Sequence, residues 1–254
     1  MTKRMLLAVL LLIVFALPAG CQKQGGEPTQ PTAPAPTILP TPTPEPPPTP
    51  TPDPVGEALA GMTVEQKAAQ LLVAGIEGTE PGEDAVQAIQ GYQVGGVILF
   101  GRNVESAEQL AALTNGLKEL NGDYTPLFLC VDQEGGRVDR MPPEVTDLPS
   151  ALDFGSIADP EARMDACFTL GQTLAAQCAA FGFNMDFAPS LDIWSNPENT
   201  VIGDRAFGTD AATVTGAANE TALGILSGGV IPVAKHFPGH GDTAVDSHYG
   251  LPVV

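Results

Sequence analysis

All three histidines of the chain fall in one short stretch, Lys235-His-Phe-Pro-Gly-His-Gly-Asp-Thr-Ala-Val-Asp-Ser-His-Tyr-Gly-Leu-Pro252, which also holds Asp242 and Asp246. An imidazole has an ordinary pKa of about 6.5, so it can both give and take a proton near neutrality. Asp246-Ser-His248 sets a carboxylate two residues from a histidine, where it can orient the ring or stabilise its charge. The apolar run Gly229 to Ala234 comes just before and reads as a buried strand. Glycines and prolines within the stretch forbid a regular helix, so it is predicted as a loop leaving that strand's C-terminal end. Proton transfer is the chemistry such a loop can supply.

The elements that must position this loop form an alternating series from residue 56 onward. Thr63-Val-Glu-Gln66 is a capping box opening a helix, and Leu71 to Ile76 is a short apolar segment. Val94 to Phe100 reads as a buried strand, and Ser106 to Gln109 caps a helix running to about Leu120. Pro126 to Val131 is a strand, and Asp159-Pro160 opens a long helix with Asp as cap and Pro in first position. Phe183 to Ala188 is a strand, Asp210 to Ser227 a helix, and Val230 to Ala234 a strand. Continuous apolar strands separated by helices predict an α/β fold with a parallel sheet covered on both faces. Polar residues follow each strand: Gly101-Arg-Asn103, Asp132 through Arg140, Ser190-Leu-Asp192 leading to Gly203-Asp-Arg-Ala-Phe-Gly208, and the Lys-His loop. A (β/α)₈ barrel places its active site at these strand ends, and a doubly wound sheet would do so at a switch point. No Gly-x-Gly-x-x-Gly or Walker loop follows any strand, so no nucleotide cofactor is indicated.

Three of these segments, in this order, resemble the signatures of glycoside hydrolase family 3. They are Asp132-Gln-Glu-Gly-Gly-Arg-Val138, Asn184-Met-Asp-Phe-Ala-Pro-Ser-Leu-Asp192, and Lys235 through Thr243 with Asp246-Ser-His248. The resemblance runs from about residue 57 to the end. It is strongest to the β-N-acetylglucosaminidase (β-hexosaminidase) branch, which cleaves N-acetylglucosamine from peptidoglycan fragments. It implies a TIM (β/α)₈ barrel and a retaining, two-step hydrolysis through a glycosyl-enzyme intermediate, with no cofactor. It also implies His248 as general acid/base with Asp246 as its partner. Asp132, Arg140, Arg205, Lys235 and His236 match sugar contacts, while Glu134 and Asp192 read as loop organisers. The competing reading is structural in each case: a solvated loop histidine for His248, an ion pair or buried hydrogen bond for the others.

The sequence departs from the family in one respect. The family nucleophile is an aspartate in a Ser-Asp-Asp-like motif after the seventh strand, and nothing in these residues matches it. Asp186 and Asp192 match other family positions. About five βα units are legible, too few to close an eight-stranded barrel, and the first and fifth strands would be left as apolar edges. The sequence therefore reads as the front part of a longer protein, inactive by itself. Three alternatives stand beside this reading. One is a non-catalytic cell-wall-binding lipoprotein that keeps the sugar pocket. Another is a phosphorylase variant using phosphate in the second step. The third is a metallohydrolase built on His236, His240, Asp242 and His248, although Pro238-Gly239 breaks the helix that would align the first two.

The N-terminal region reads as targeting rather than fold. Lys3 and Arg4 precede an apolar run from Met5 to Leu17, which suits an export signal over residues 1–20. Leu17-Pro-Ala-Gly-Cys21 resembles a bacterial lipoprotein signal with Cys21 lipidated, though Pro18 stands where an aliphatic residue is usual; the alternative is an ordinary secretory signal. The protein is thus expected to be exported and anchored in the membrane, facing the cell wall. Residues 21–55 hold more than half of the 25 prolines, mixed with threonine. Such a segment cannot bury a core and would form an extended spacer on the order of 100 Å long. The barrel portion is expected over residues 56–254. A net charge of −19 disfavours a nucleic-acid partner. Cys130, Cys167 and Cys178 read as small core residues. The last two lie on one helix ~16 Å apart, too far for a disulfide.

Overall fold

The apolar runs become strands hidden in a parallel sheet. In the computed structural model, which describes residues 53–253, β2 (Gly96–Leu99) is buried throughout, and β3 (Phe128–Val131) is buried from Leu129 onward. With β1 (Val73–Gly75), β4 (Met185–Asp186) and β5 (Ile231–Pro232) they form one five-stranded sheet in the order β1-β2-β3-β4-β5, every pairing parallel. Each strand lies beside its predecessor, so the order contains no reversal and no switch point. This is the βα succession of a barrel, present as an open arc of α/β units. Val73 and Ile231, on the two edge strands, are each 41% exposed. The signal segment, Cys21 and the proline-rich stretch up to residue 52 lie outside the described residues.

Register decides where the polar residues go. Val131 is level with Asp186, and Asp186 is level with Pro232. The chain therefore leaves β3, β4 and β5 at one height, and Asp132, Ser190 and Lys235 emerge on the same rim. Ser190 and Lys235 form an isolated parallel bridge just past the strands.

Helices pack beside the sheet through predictable stripes. α1 (Pro54–Gly61) is capped by Asp53 and takes up the last two residues, 54 and 55, of the expected spacer. α2 (Val64–Ala69) carries both halves of the Thr63/Gln66 capping box. α4 (Ala107–Asn121), capped by Ser106, buries Leu110, Leu113 and Leu117 on one face. At about 1.5–3 kcal/mol each these are major contributors to the core. α6 (Pro160–Ala180) starts from Asp159 and buries Cys167, Leu170, Leu174 and Cys178 on a single face. It lies against α7 (Ala211–Ser227) closely enough that a Cβ on Gly171 would stand 2.1 Å from the Thr221 carbonyl oxygen. Burial pushes the Cys130 thiol up to about 12 and that of Cys167 up to about 11. The three cysteines among the described residues are free and buried, as expected of core residues. Among the described residues no helix is long and apolar enough to cross a membrane.

Besides α1, two further helices escape the sequence reading. α3 (Glu83–Val86) continues into a π-helical turn, Gln87–Tyr92, between β1 and β2. Its apolar face is only Ala85, Ala88 and Ile89, too weak a stripe to stand out. α5 (Ala151–Gly155) is a single turn with a full capping box from Ser150 and Asp153, a Ser-x-x-Asp signal that the sequence does carry.

Candidate active site

The loop after β3 is extended at its start, so alternate residues face opposite ways. Gln133 turns inward and is fully buried. Its N–H donates to Asp186 Oδ1 at 2.9 Å, its Nε2 to Gln177 Oε1 at 2.9 Å, and its Oε1 accepts the Arg140 N–H at 2.8 Å. That brace turns Asp132 and Glu134 towards the rim. Gly135 and Gly136, at φ 81° and 57°, then reverse the chain in the left-handed region that glycine tolerates. A Cβ on Gly135 would also stand 2.9 Å from the Pro149 carbonyl oxygen.

Lys235, at the exit of β5, reaches across to this loop. Its ammonium donates to Asp132 Oδ1 at 2.7 Å and also contacts Glu134. Arg205 grips Glu134 bidentately, Nε to Oε2 at 2.9 Å and Nη2 to Oε1 at 2.8 Å, and gives Nη1 to the Val201 carbonyl at 3.1 Å. Burial drives the Glu134 carboxyl upward, but the Arg205 fork and Lys235 outweigh it and hold the group below its ordinary range. The second N–H of Arg205 Nη2 faces His236 Nε2 at 3.2 Å. Arginine has only protons to give, so that nitrogen accepts and His236 Nδ1 carries the ring proton to Asp192 Oδ2, 2.5 Å away.

Counting donors shows what remains for a ligand. Lys235 keeps one ammonium N–H and Arg205 one N–H on Nη1. Arg140 spends Nη1 on the Asp139 carbonyl at 3.1 Å and, among the described residues, makes no ion pair. His236 has no ring N–H left. It braces Arg205 against Asp192 while also lining the cleft beside Asp132, Arg140 and Lys235. Asp192 is buried and also accepts from the His240 N–H at 2.6 Å and from Ser190 Oγ at 3.1 Å. It organises the loop, as expected, and these donors outweigh burial to keep it below the ordinary carboxylate range. Asp186 is buried out of reach, with Oδ2 unpartnered, and burial raises its carboxyl well above the usual value.

His248 stands at the lip of the same cleft. Its N–H and Nδ1 both meet Asp246 Oδ1, at 2.8 and 2.7 Å. The His248 backbone N–H, with the imidazole second, holds Asp246 below its ordinary range. An ionised carboxylate only accepts, so Nδ1 carries the hydrogen and Nε2 is left free. The His248 side chain is 76% exposed. The cleft measures about 690 Å³, within the range of small-molecule sites. The four residues of the metal alternative turn to separate partners: His236 to Asp192, His240 to Thr243, Asp242 to Ser195, and His248 to Asp246.

Acidic, basic and imidazole groups are thus gathered at the C-terminal ends of a parallel βα series, the rim on which a (β/α)₈ barrel carries its site. The description "Glycosyl hydrolase family 3 N terminal domain" matches residues 63–254, and the chain belongs to that family. It is 40% identical over 180 residues to a β-hexosaminidase of Methylobacillus flagellatus, covering 70% of this chain and 51% of the relative. It is 36% identical over 244 residues to β-hexosaminidase LpqI of Mycobacterium tuberculosis, covering 95% and 59%. The chain thus spans about half the length of the curated relatives it matches. Among solved structures, a glycoside hydrolase family 3 β-N-acetylglucosaminidase from Paenibacillus sp. superposes with a TM-score of 0.70 at 41% identity, covering 76% of this chain and 36% of that one. NagZ from Neisseria gonorrhoeae in complex with N-trifluoroacetyl-D-glucosamine gives 0.65 at 37% identity, covering 71% and 53%.

Proposed function

We propose that the cleft binds a β-linked N-acetylglucosamine residue of a peptidoglycan-derived or related glycan, and that His248 moves the proton in its retaining hydrolysis. The observation that carries this is His248 itself: Nδ1 is tied to Asp246 and Nε2 is free, beside a cleft floored by Lys235, Asp132 and Arg205. In the first step a carboxylate that the described cleft does not supply bonds to C1 as the glycosidic C1–O bond breaks, and Nε2 of the His248 imidazolium gives its proton to the departing oxygen. In the second, a water oxygen bonds to C1 as the C1–carboxylate bond breaks, and Nε2 takes the water's proton. Asp246, ionised, stabilises the imidazolium before each donation. Asp132 accepts from sugar hydroxyls, and the spare N–H groups of Lys235, Arg205 and Arg140 donate to sugar oxygens. The attack on C1 needs a free carboxylate, and the acidic residues lining the cleft, Asp132, Glu134 and Asp246, are each engaged.

The test is to offer the complete gene product a β-N-acetylglucosaminide and follow the anomers by proton NMR. First appearance of β-N-acetylglucosamine supports the reading. Initial α-product, or no product from any N-acetylglucosaminide, contradicts it. We also propose export and tethering through Cys21, on the strength of the Leu17-Pro-Ala-Gly-Cys21 segment. Labelled palmitate should enter the protein in cells and be lost in Cys21→Ser.

A further inference from the structure

One buried histidine has no part in that chemistry, yet it joins the two loops that form the site. The loop after β4 grips the turn 240–243. Asn199, itself buried, donates to the His240 carbonyl at 2.6 Å while its Oδ1 accepts the Val201 and Ile202 N–H groups at 3.0 and 2.9 Å. Asp192 accepts the His240 N–H, and Ser195 Oγ donates to Asp242 Oδ1 at 2.9 Å. Gly241 lies so close to the facing strand of chain that a Cβ there would stand 1.8 Å from the Ile193 carbonyl oxygen. The turn is therefore fixed.

Residues 244–250 are different. All are exposed except the half-buried Asp246. Their hydrogen bonds run inward, from the His248, Tyr249 and Gly250 N–H groups to Asp246. Among the described residues one hydrogen bond ties this segment to earlier parts of the chain: His240 Nε2 to Ser247 Oγ, 3.3 Å. Its direction follows from the other ring nitrogen. Thr243 Oγ1 gives its proton to the His240 carbonyl at 3.0 Å, so it must accept from His240 Nδ1 at 2.5 Å. Nδ1 therefore carries the hydrogen, and Nε2 offers a lone pair to the Ser247 hydroxyl.

We infer that His240 is a positioning residue: anchored to the β4 loop, it holds Ser247 and through it sets the Asp246–His248 pair over the cleft. The inference rests on the proposed role of His248. Its test is arranged so that the two can fail separately. Amide hydrogen exchange of residues 245–250 is measured in the complete gene product as wild type, Ser247→Ala, His240→Leu and the double variant. Loss of one hydrogen bond should speed exchange of the Tyr249 and Gly250 amides about three- to tenfold. The double variant should be no faster than His240→Leu alone, because that substitution already removes the Ser247 contact. In the complete gene product, Ser247→Ala should lower kcat by a similar factor with KM unchanged, since Lys235 and Asp132 stay in place. Unchanged exchange in Ser247→Ala overturns the inference whether or not the protein hydrolyses anything. Altered exchange with no sugar hydrolysis by wild type keeps the tether and removes only the proposed reaction. Should His240→Leu fail to fold, Ser247→Ala, at an exposed position, still decides.

Discussion

Arg205 and Glu134 meet end on, fork to fork, with side chains only 12% and 6% exposed. The pair locks the loop after β3 to the chain after β4, and Lys235 adds a second cation on the same carboxylate. Taking away one member of a buried charge cluster leaves the others uncompensated. Glu134→Gln should therefore cost about 3–5 kcal/mol in urea unfolding; a loss under about 1 kcal/mol would contradict this. The pH dependence has a definite sign. Folded Glu134 titrates below its unfolded value of about 4.3, so its contribution is present above that pH and disappears as pH falls through the folded value. The Gln variant should lack this part of the acid limb.

Asp186 works in the opposite sense. Burial keeps its carboxyl protonated well above the unfolded value of about 3.9. Between those values the folded state holds one more proton than the unfolded state, so stability falls as pH rises through the interval, by up to about 1.4 kcal/mol per pH unit. Below ~3.9 both states are protonated and there is no penalty. Asp186→Asn keeps an oxygen to accept the Gln133 N–H and removes the titration. Its stability relative to wild type should grow as pH rises above ~3.9. Parallel curves for the two proteins would count against a neutral Asp186.

The thiols offer a third check. Cys130, Cys167 and Cys178 are buried and carry pKa values pushed up by that burial, to about 12 and about 11 for the first two. Thiolate is the reactive form. Mass mapping after iodoacetamide treatment at pH 8 should find these three unmodified in native protein and fully modified in urea. Labelling of Cys167 in the native state would mean that α6 opens far more readily than its packing against α7 implies.

Much of this was legible from residue order. The strands at Val94–Phe100 and Pro126–Val131 stand out because both faces are apolar, and Asp159-Pro160 announces α6 because a cap and a first-turn proline coincide. The polar residues after each strand identify the rim. What the sequence could not show is how donors are shared. His236 stands in the sequence as one of five matched sugar contacts, and its meeting with Arg205 at Nε2 is created only by the fold. Gln133, between two conspicuous acids, carries no charge and no motif of its own, yet its three hydrogen bonds set both of them. His240 was visible only as a metal-ligand candidate, because its partner Ser247 is an unremarkable residue between two charged ones.

The measurement that bears most directly on the site is a pair of numbers for His248→Ala in the complete gene product: turnover of a β-N-acetylglucosaminide, and equilibrium binding of N-acetylglucosamine by calorimetry. Loss of a general acid/base should lower kcat about 10²- to 10⁴-fold, while the dissociation constant stays within about twofold because Lys235, Asp132 and Arg140 are untouched. Turnover that survives the substitution, or binding lost in step with turnover, would show that His248 is a structural loop residue.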